Sequence, residues 1–372
     1  MKIAVLGAGM VGRTMAEDLS TFHEVTSYDI NESNLSKLRG VKGVKADLSA
    51  YGEYPELLQH ADLVISAVPG FIGYETLEAI IGCKKNAVDI SFFPGNALEL
   101  DELAKKNGVT AIVDCGVAPG MGNFILGYHN AKMKVKKFLC MVGGLPVERK
   151  FPFEYKAPFS PVDVIEEYTR EARYVENGNI VTRPALSDPE LIHVNGIGTL
   201  EAFNTDGLRS ILFTMPHIPD MKEKTLRYPG HIGLIGALKE AGFFSTEPVQ
   251  VGNVKIPPLQ LTSTLLFREW KLHDNEPEFT YMKVQLEGDE NGKEKKYEYE
   301  VLDHNDPETG YSSMSRTTGF TCTAAANLIM GNLFTEKGVF PPELVGSDEH
   351  CFRFVLKYLE ERNVIYNVKE LS

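Results

Sequence analysis

A chain of 372 residues has room for two or three domains of about 150 residues each. Hydrophobic residues make up 43% and charged residues 24%, a folded globular balance with ample material for a core. The net charge of −13, from 51 acids against 38 basic residues, repels phosphate backbones and anionic lipid and excludes nucleic acid as an expected partner.

The first ~125 residues alternate apolar runs with amphipathic stretches, the rhythm of βαβ units. Strands are expected at 2–8, 24–29, 43–48, 62–68, 86–91 and 110–116, with helices at 11–20, 32–39, 73–82 and 98–107. The opening MKIAVLGAGMVG superficially resembles a signal peptide, but Arg13, Glu17 and Asp18 follow where a small-residue cleavage site would stand. Strand-like runs at 135–146 and 179–187 then mix with loops rich in Pro, Gly and aromatic residues. Residues 279–303 read as an antiparallel hairpin around an Asp-Glu-Asn-Gly tip. Segments 320–334 and 348–361 return to a helical pattern, the second with acids in its first turn. The expected class is α/β: a Rossmann-type doubly wound parallel sheet (1–125), an inserted mixed α+β substrate domain (126–315) and a helical segment (316–372) returning to the first domain.

No run approaches the roughly 18 apolar residues of a membrane span, so no membrane association is expected. Five cysteines, odd in number and scattered, fit buried thiols in a reducing cytoplasm. They do not suggest a disulfide framework or a metal site, and His350 and Cys351 lack spaced partners.

Gly7, Gly9 and Gly12 form Gly-x-Gly-x-x-Gly between an apolar strand and a helix. The first permits a tight turn, the second close approach of backbone amides to a pyrophosphate, the third close helix–strand packing. Met10 and Val11 lie at the helix start, where N–H groups face the phosphates. Asp29, with Ile30 beside it, ends the second strand at the spacing for hydrogen bonds from an adenosine ribose. A carboxylate there repels a 2′-phosphate, so NAD is expected, with NADP possible because some enzymes with this Asp accept both. Asp47 and Leu48 are placed by topology near the adenine, Val68 and Pro69 near the nicotinamide ribose, and Ser91 at the end of strand five.

Chemistry in such a fold belongs where strands five and six meet the second domain. Ser91-Phe92-Phe93-Pro94-Gly95 and the glycine-rich loop from Asp114 to Asn123 lie there. Further on, Glu201-Ala202-Phe203-Asn204-Thr205-Asp206-Gly207 and Thr225-Leu226-Arg227-Tyr228-Pro229-Gly230-His231 set ionisable residues among aromatic and turn residues.

The glycine fingerprint, VISAVPG, the Gly-x-x-Pro-Gly loop at 116–120, EAFNTDGL, TLRYPGH and SRTTGF at 315–320, in this order, resemble the saccharopine dehydrogenase superfamily across most of the chain. They look more like its L-lysine 6-dehydrogenase branch. The resemblance implies a Rossmann domain, a substrate domain with a mixed sheet, and commonly a homodimer. Where saccharopine-forming relatives carry a loop Asp, an Arg after the Asn of Asn-x-Asp, and a Ser-Tyr pair, this chain has Ala118, Thr205 and Ser91-Phe92. Those departures point to a smaller substrate than saccharopine.

The expected activity is therefore NAD-dependent oxidative deamination of L-lysine at its ε-carbon, giving allysine (2-aminoadipate 6-semialdehyde), which cyclises to 1-piperideine-6-carboxylate. Arg227 is the expected clamp on the substrate carboxylate, with Thr225, Phe92 and Asn204 around the substrate. The base is sought first at Asp206, then Asp114, then His231, and Tyr228 is positioned to bond the nitrogen or a water. Two rivals are a reductase of the saccharopine- or carboxynorspermidine-forming kind, which needs a second carbonyl substrate, and a non-catalytic NAD-binding regulator.

Overall fold

The computed structural model describes residues 1–371. Its first sheet holds β1 (Lys2–Leu6), β2 (Glu24–Asp29), β3 (Lys42–Lys45), β4 (Leu63–Ser66), β5 (Asn86–Asp89) and β6 (Thr110–Ile112), all parallel. Their order is β3-β2-β1-β4-β5-β6. The order reverses between β1 and β4, the switch point where an open α/β sheet leaves a crevice at its carboxyl edge. β1 and β4 are buried almost throughout because helices cover both faces. The helix Gly70–Gly82 begins three residues earlier than its periodicity suggests, with Pro69 as its N-cap.

The second sheet is mixed. It contains β7 (Lys134–Pro146), β8 (Ala172–Glu176), β9 (Asn179–Arg183), β10 (Glu190–Val194), β11 (Gly198–Asn204) and β12 (Asp220–Arg227). A small separate pair, β13 (Val249–Val251) and β14 (Val254–Ile256), stands outside it. The expected hairpin is β15 (Glu278–Glu290) and β16 (Lys293–His304), turning at Asn291-Gly292. Among the described residues of this sheet only β7 and β12 pair in parallel; the other ladders are antiparallel.

The C-terminal segment is not purely helical, as its pattern suggested. Its helix Ser313–Met330 begins seven residues before the expected start and is buried almost along its whole length. After it, β17 (Gly338–Phe340) joins the first sheet parallel to β6, and β18 (Asn367–Leu371) joins the second sheet beside β16. Three-residue strands such as β17 are too short to leave an alternation in sequence. The helix Glu349–Glu360 starts where expected, capped by the Asp348 carboxylate, which accepts from the N–H groups of His350 and Cys351. No helix among the described residues is long and apolar enough to cross a membrane.

Candidate active site

A continuous cleft of about 760 Å³ runs from the carboxyl edge of the first sheet onto the face of the second. At one end the chain leaves β1 through Gly7 with φ 104° and enters the helix Met10–Ser20. A Cβ on Gly12 would collide with the Gly7 carbonyl, so helix and turn touch backbone to backbone. Where Gly9 would carry a Cβ there is open space, which leaves its backbone free to approach a ligand. The Asp29 carboxylate accepts from the N–H of Ala8 at 2.8 Å and of Asn31 at 2.7 Å, and so ties the end of β2 to the glycine turn.

This cradle fits a dinucleotide: close backbone approach, helix N–H groups and a ribose-facing carboxylate are all present. Gly7, Gly9, Met10, Val11, Gly12, Asp29, Ile30, Asp47, Leu48, Val68, Pro69 and Ser91 all line the cleft. Lys37, Arg39 and Lys45 are already paired with Asp274, Glu17 and Glu32, and none of the three lines the cleft. Behind Ser91, the buried Asp89 carboxyl accepts from Ser91 Oγ at 2.8 Å, and burial pushes its pKa up to about 7.

At the other end stand residues of the second domain. Alternation along β12 presents Glu223, Thr225 and Arg227 on one face, and all three line the cleft. Thr225 Oγ1 shares a hydrogen bond with Thr205 Oγ1 at 3.1 Å. Both carboxylate oxygens of Asp206 accept from the Arg173 guanidinium, at 2.8 and 2.9 Å. Arg227 is equally committed. Its Nη2 pairs with Glu167 at 2.6 Å, its Nε donates to Tyr168 at 2.9 Å, and its Nη1 donates to the Leu226 carbonyl.

Asp114, His231, Tyr228 and Asn204 do not line the cleft. Asp114 is buried in an ion pair with Arg209 at 2.6 Å. His231 lies a layer behind, its Nδ1–H donating to the Phe153 carbonyl and its Nε2 accepting from Tyr168. Burial, with Arg227 nearby, lowers its pKa to about 3, so the ring is neutral. Tyr228 donates to the Pro146 carbonyl, and the Asn204 amide donates to Asp188 and Ser187. Phe92 does line the cleft, beneath the guanidinium of Arg170 at 4.7 Å.

Sequence reasoning missed five ionisable residues here. Asp163, Glu166, Glu167 and Arg170 come from the helix Pro161–Thr169 and its end, and Glu223 from β12. The first four carry no signal, because an acidic amphipathic helix looks like any solvated one. Glu223 had a signal: it stands two residues before Thr225 and four before Arg227 on a strand.

Residues 3–112 match the family model of the saccharopine dehydrogenase NADP binding domain, and residues 113–365 that of the saccharopine dehydrogenase C-terminal domain. The chain belongs to the saccharopine dehydrogenase family. Among its curated relatives in that family, the alpha-aminoadipic semialdehyde synthase of Arabidopsis thaliana is 25% identical over 301 residues, 67% of this chain and 27% of the relative. The saccharopine dehydrogenase (NADP(+), L-glutamate-forming) of Saccharomyces cerevisiae is 24% identical over 266 residues, 67% of this chain and 60% of the relative. The alignments thus span 60% or less of these two relatives. A solved structure of apo saccharopine dehydrogenase (L-Glu forming) from Saccharomyces cerevisiae shares the fold across both whole chains, with a TM-score of 0.80 at 20% identity.

Proposed function

We propose that this member of the saccharopine dehydrogenase family oxidises L-lysine at the ε-carbon to allysine, with NAD as the hydride acceptor. One observation carries the reading. Glu166–Arg170, Glu167–Arg227 and Asp206–Arg173 neutralise one another, at 3.0, 2.6 and 2.8 Å. At the substrate end, the described residues lining the cleft leave two carboxyls without an ion-pair partner, Asp163 and Glu223, and one guanidinium nitrogen without a hydrogen-bond partner, Nη1 of Arg170. Lysine carries two ammonium groups and one carboxylate, and meets that set group for group.

The dinucleotide, when bound, would supply the acceptor for a hydride, which carries both electrons. The Gly7–Gly12 turn would hold its pyrophosphate and Asp29 its adenosine ribose. Arg170, stacked on Phe92, holds the substrate carboxylate, a role expected earlier of Arg227, whose donors are largely taken by protein groups. The ε-ammonium, with a pKa near ~10.4 in water, must lose a proton before its lone pair can form C=N.

A second reading, saccharopine as substrate, is favoured by the names of the curated relatives. It requires partners for three carboxylates, and among the described residues at the substrate end one guanidinium nitrogen, the buried Nη1 of Arg170, lacks a partner. The deciding assay follows reduction of NAD and of NADP with lysine or saccharopine, without an added keto acid. Lysine should support turnover and Arg170→Ala should raise its KM by about tenfold to a hundredfold, the loss of a charge-assisted contact. Turnover with saccharopine alone would overturn the proposal.

A further inference from the structure

Deprotonation needs a base at the reacting nitrogen, and the groups with the right chemistry are mostly spoken for. Asp206 has both oxygens on Arg173, and Asp114 is tied to Arg209 behind the cleft. His231 uses both ring nitrogens within the second domain and does not reach the cleft.

Glu223 differs. It lies in β12, is 8% exposed, lines the cleft, and its carboxyl receives no hydrogen bond from any described residue. Gly207, opposite, is small for a reason: a Cβ there would occupy the space of the Glu223 carboxyl. A buried carboxyl without donors is costly to maintain, which marks it as a group kept for a ligand. The charged groups facing it are Glu167 from the helix Pro161–Thr169, Asp206 from the loop after β11, Asp114 from the loop after β6, and Arg209. Three of those four are acids, so the local field favours a cation.

We propose that Glu223 is the catalytic base, accepting the proton of the substrate's reacting ammonium. The inference rests on the reading that an amine is oxidised in this cleft. In the step, one N–H bond breaks and an O–H bond forms on Glu223. The freed lone pair makes C=N while the C–H bond breaks, its electron pair leaving as hydride to the nicotinamide dinucleotide. The amine is oxidised by two electrons and the dinucleotide reduced by two. Thr225 and Arg227, two and four residues along the same strand face, continue the line away from the reacting nitrogen.

The physical consequence is a matched pair of acidities. Burial, reinforced by Glu167 and Asp206, pushes the Glu223 pKa up to about 8, closer to the amine it must deprotonate than an ordinary carboxylate. Free protein at neutral pH holds Glu223 largely protonated. Arrival of an ammonium favours the ionised form and expels that proton.

The test compares wild type, Glu223→Gln and Glu223→Asp. Gln copies the neutral carboxyl that the free protein carries at neutral pH, so the fold should tolerate it. Calorimetry of lysine binding at pH 7, without dinucleotide, in buffers of different ionisation enthalpy, should show release approaching one proton for wild type and none for Glu223→Gln. In turnover, Glu223→Gln should lower kcat by about 10² or more. It should also abolish a kcat/KM limb rising through pH 8, while Glu223→Asp retains the limb at reduced kcat. Wild type that releases the proton on binding but oxidises saccharopine alone would overturn the lysine reading and leave Glu223 standing as the ammonium site. Unchanged proton release and pH profile in Glu223→Gln, with kcat within about fivefold, would overturn the assignment of Glu223.

Discussion

A carboxyl that stays protonated past neutrality leaves a mark on stability as well as on chemistry. Glu223 has a folded pKa of about 8 against 4.5 for the ordinary side chain. Between those values the folded state binds more protons than the unfolded one, so stability falls as pH rises through that window and levels off above it. Glu223→Gln removes the penalty. Its melting temperature should match wild type near pH 4 and exceed it by a few degrees at pH 9, by differential scanning fluorimetry; equal curves at both would contradict the burial argument. His231 makes the opposite point. With its pKa near 3 it is uncharged across the working range, so no activity limb above pH 5 belongs to it.

At the scale of elements, the glycine turn is where local sequence and tertiary contact say the same thing. Gly7 needs its positive φ and Gly12 its missing Cβ, and both needs are written in a fingerprint that follows an apolar strand. Gly12→Ala must push the opening helix away from the Gly7 carbonyl. We expect it to weaken NAD binding by about tenfold or more and to destabilise the protein by roughly 1–3 kcal/mol, measurable by dinucleotide titration and urea unfolding. The first six parallel strands and the long hairpin were legible for the same reason, since continuous apolar runs and strict alternation are local signals. The substrate end was legible only in part. Thr225 and Arg227 could be read from their motif, but whether Asp206 or Arg227 is free depends on Arg173 and Glu167, partners separated in sequence by 33 and 60 residues. Such pairing leaves no trace in spacing. The helix Pro161–Thr169 was invisible as a cleft wall because its acidic face looks solvated until the fold turns it inward.

On the scale of the whole molecule, the two sheets are tied together by the closing segment. Thr14 on the opening helix donates to Ser315, and Asp18 accepts from Thr323, Tyr358 and Arg362. The same long helix packs on β15 of the second sheet. Trp270, the one tryptophan, lies buried in the second domain and reports on it alone. If the sheets melt as one cooperative unit, NAD at a hundredfold over its Kd should raise stability by about 2.7 kcal/mol. Trp270 fluorescence and far-UV circular dichroism should then shift by the same number of degrees; a Trp270 transition indifferent to NAD would show the domains unfold independently. The placement of β17 has a further consequence for biogenesis. The outer flank of β6 stays bare until residues 338–340 emerge from the ribosome, so for most of translation the nascent nucleotide fold carries an edge strand whose backbone hydrogen-bonding groups are unpaired on that side.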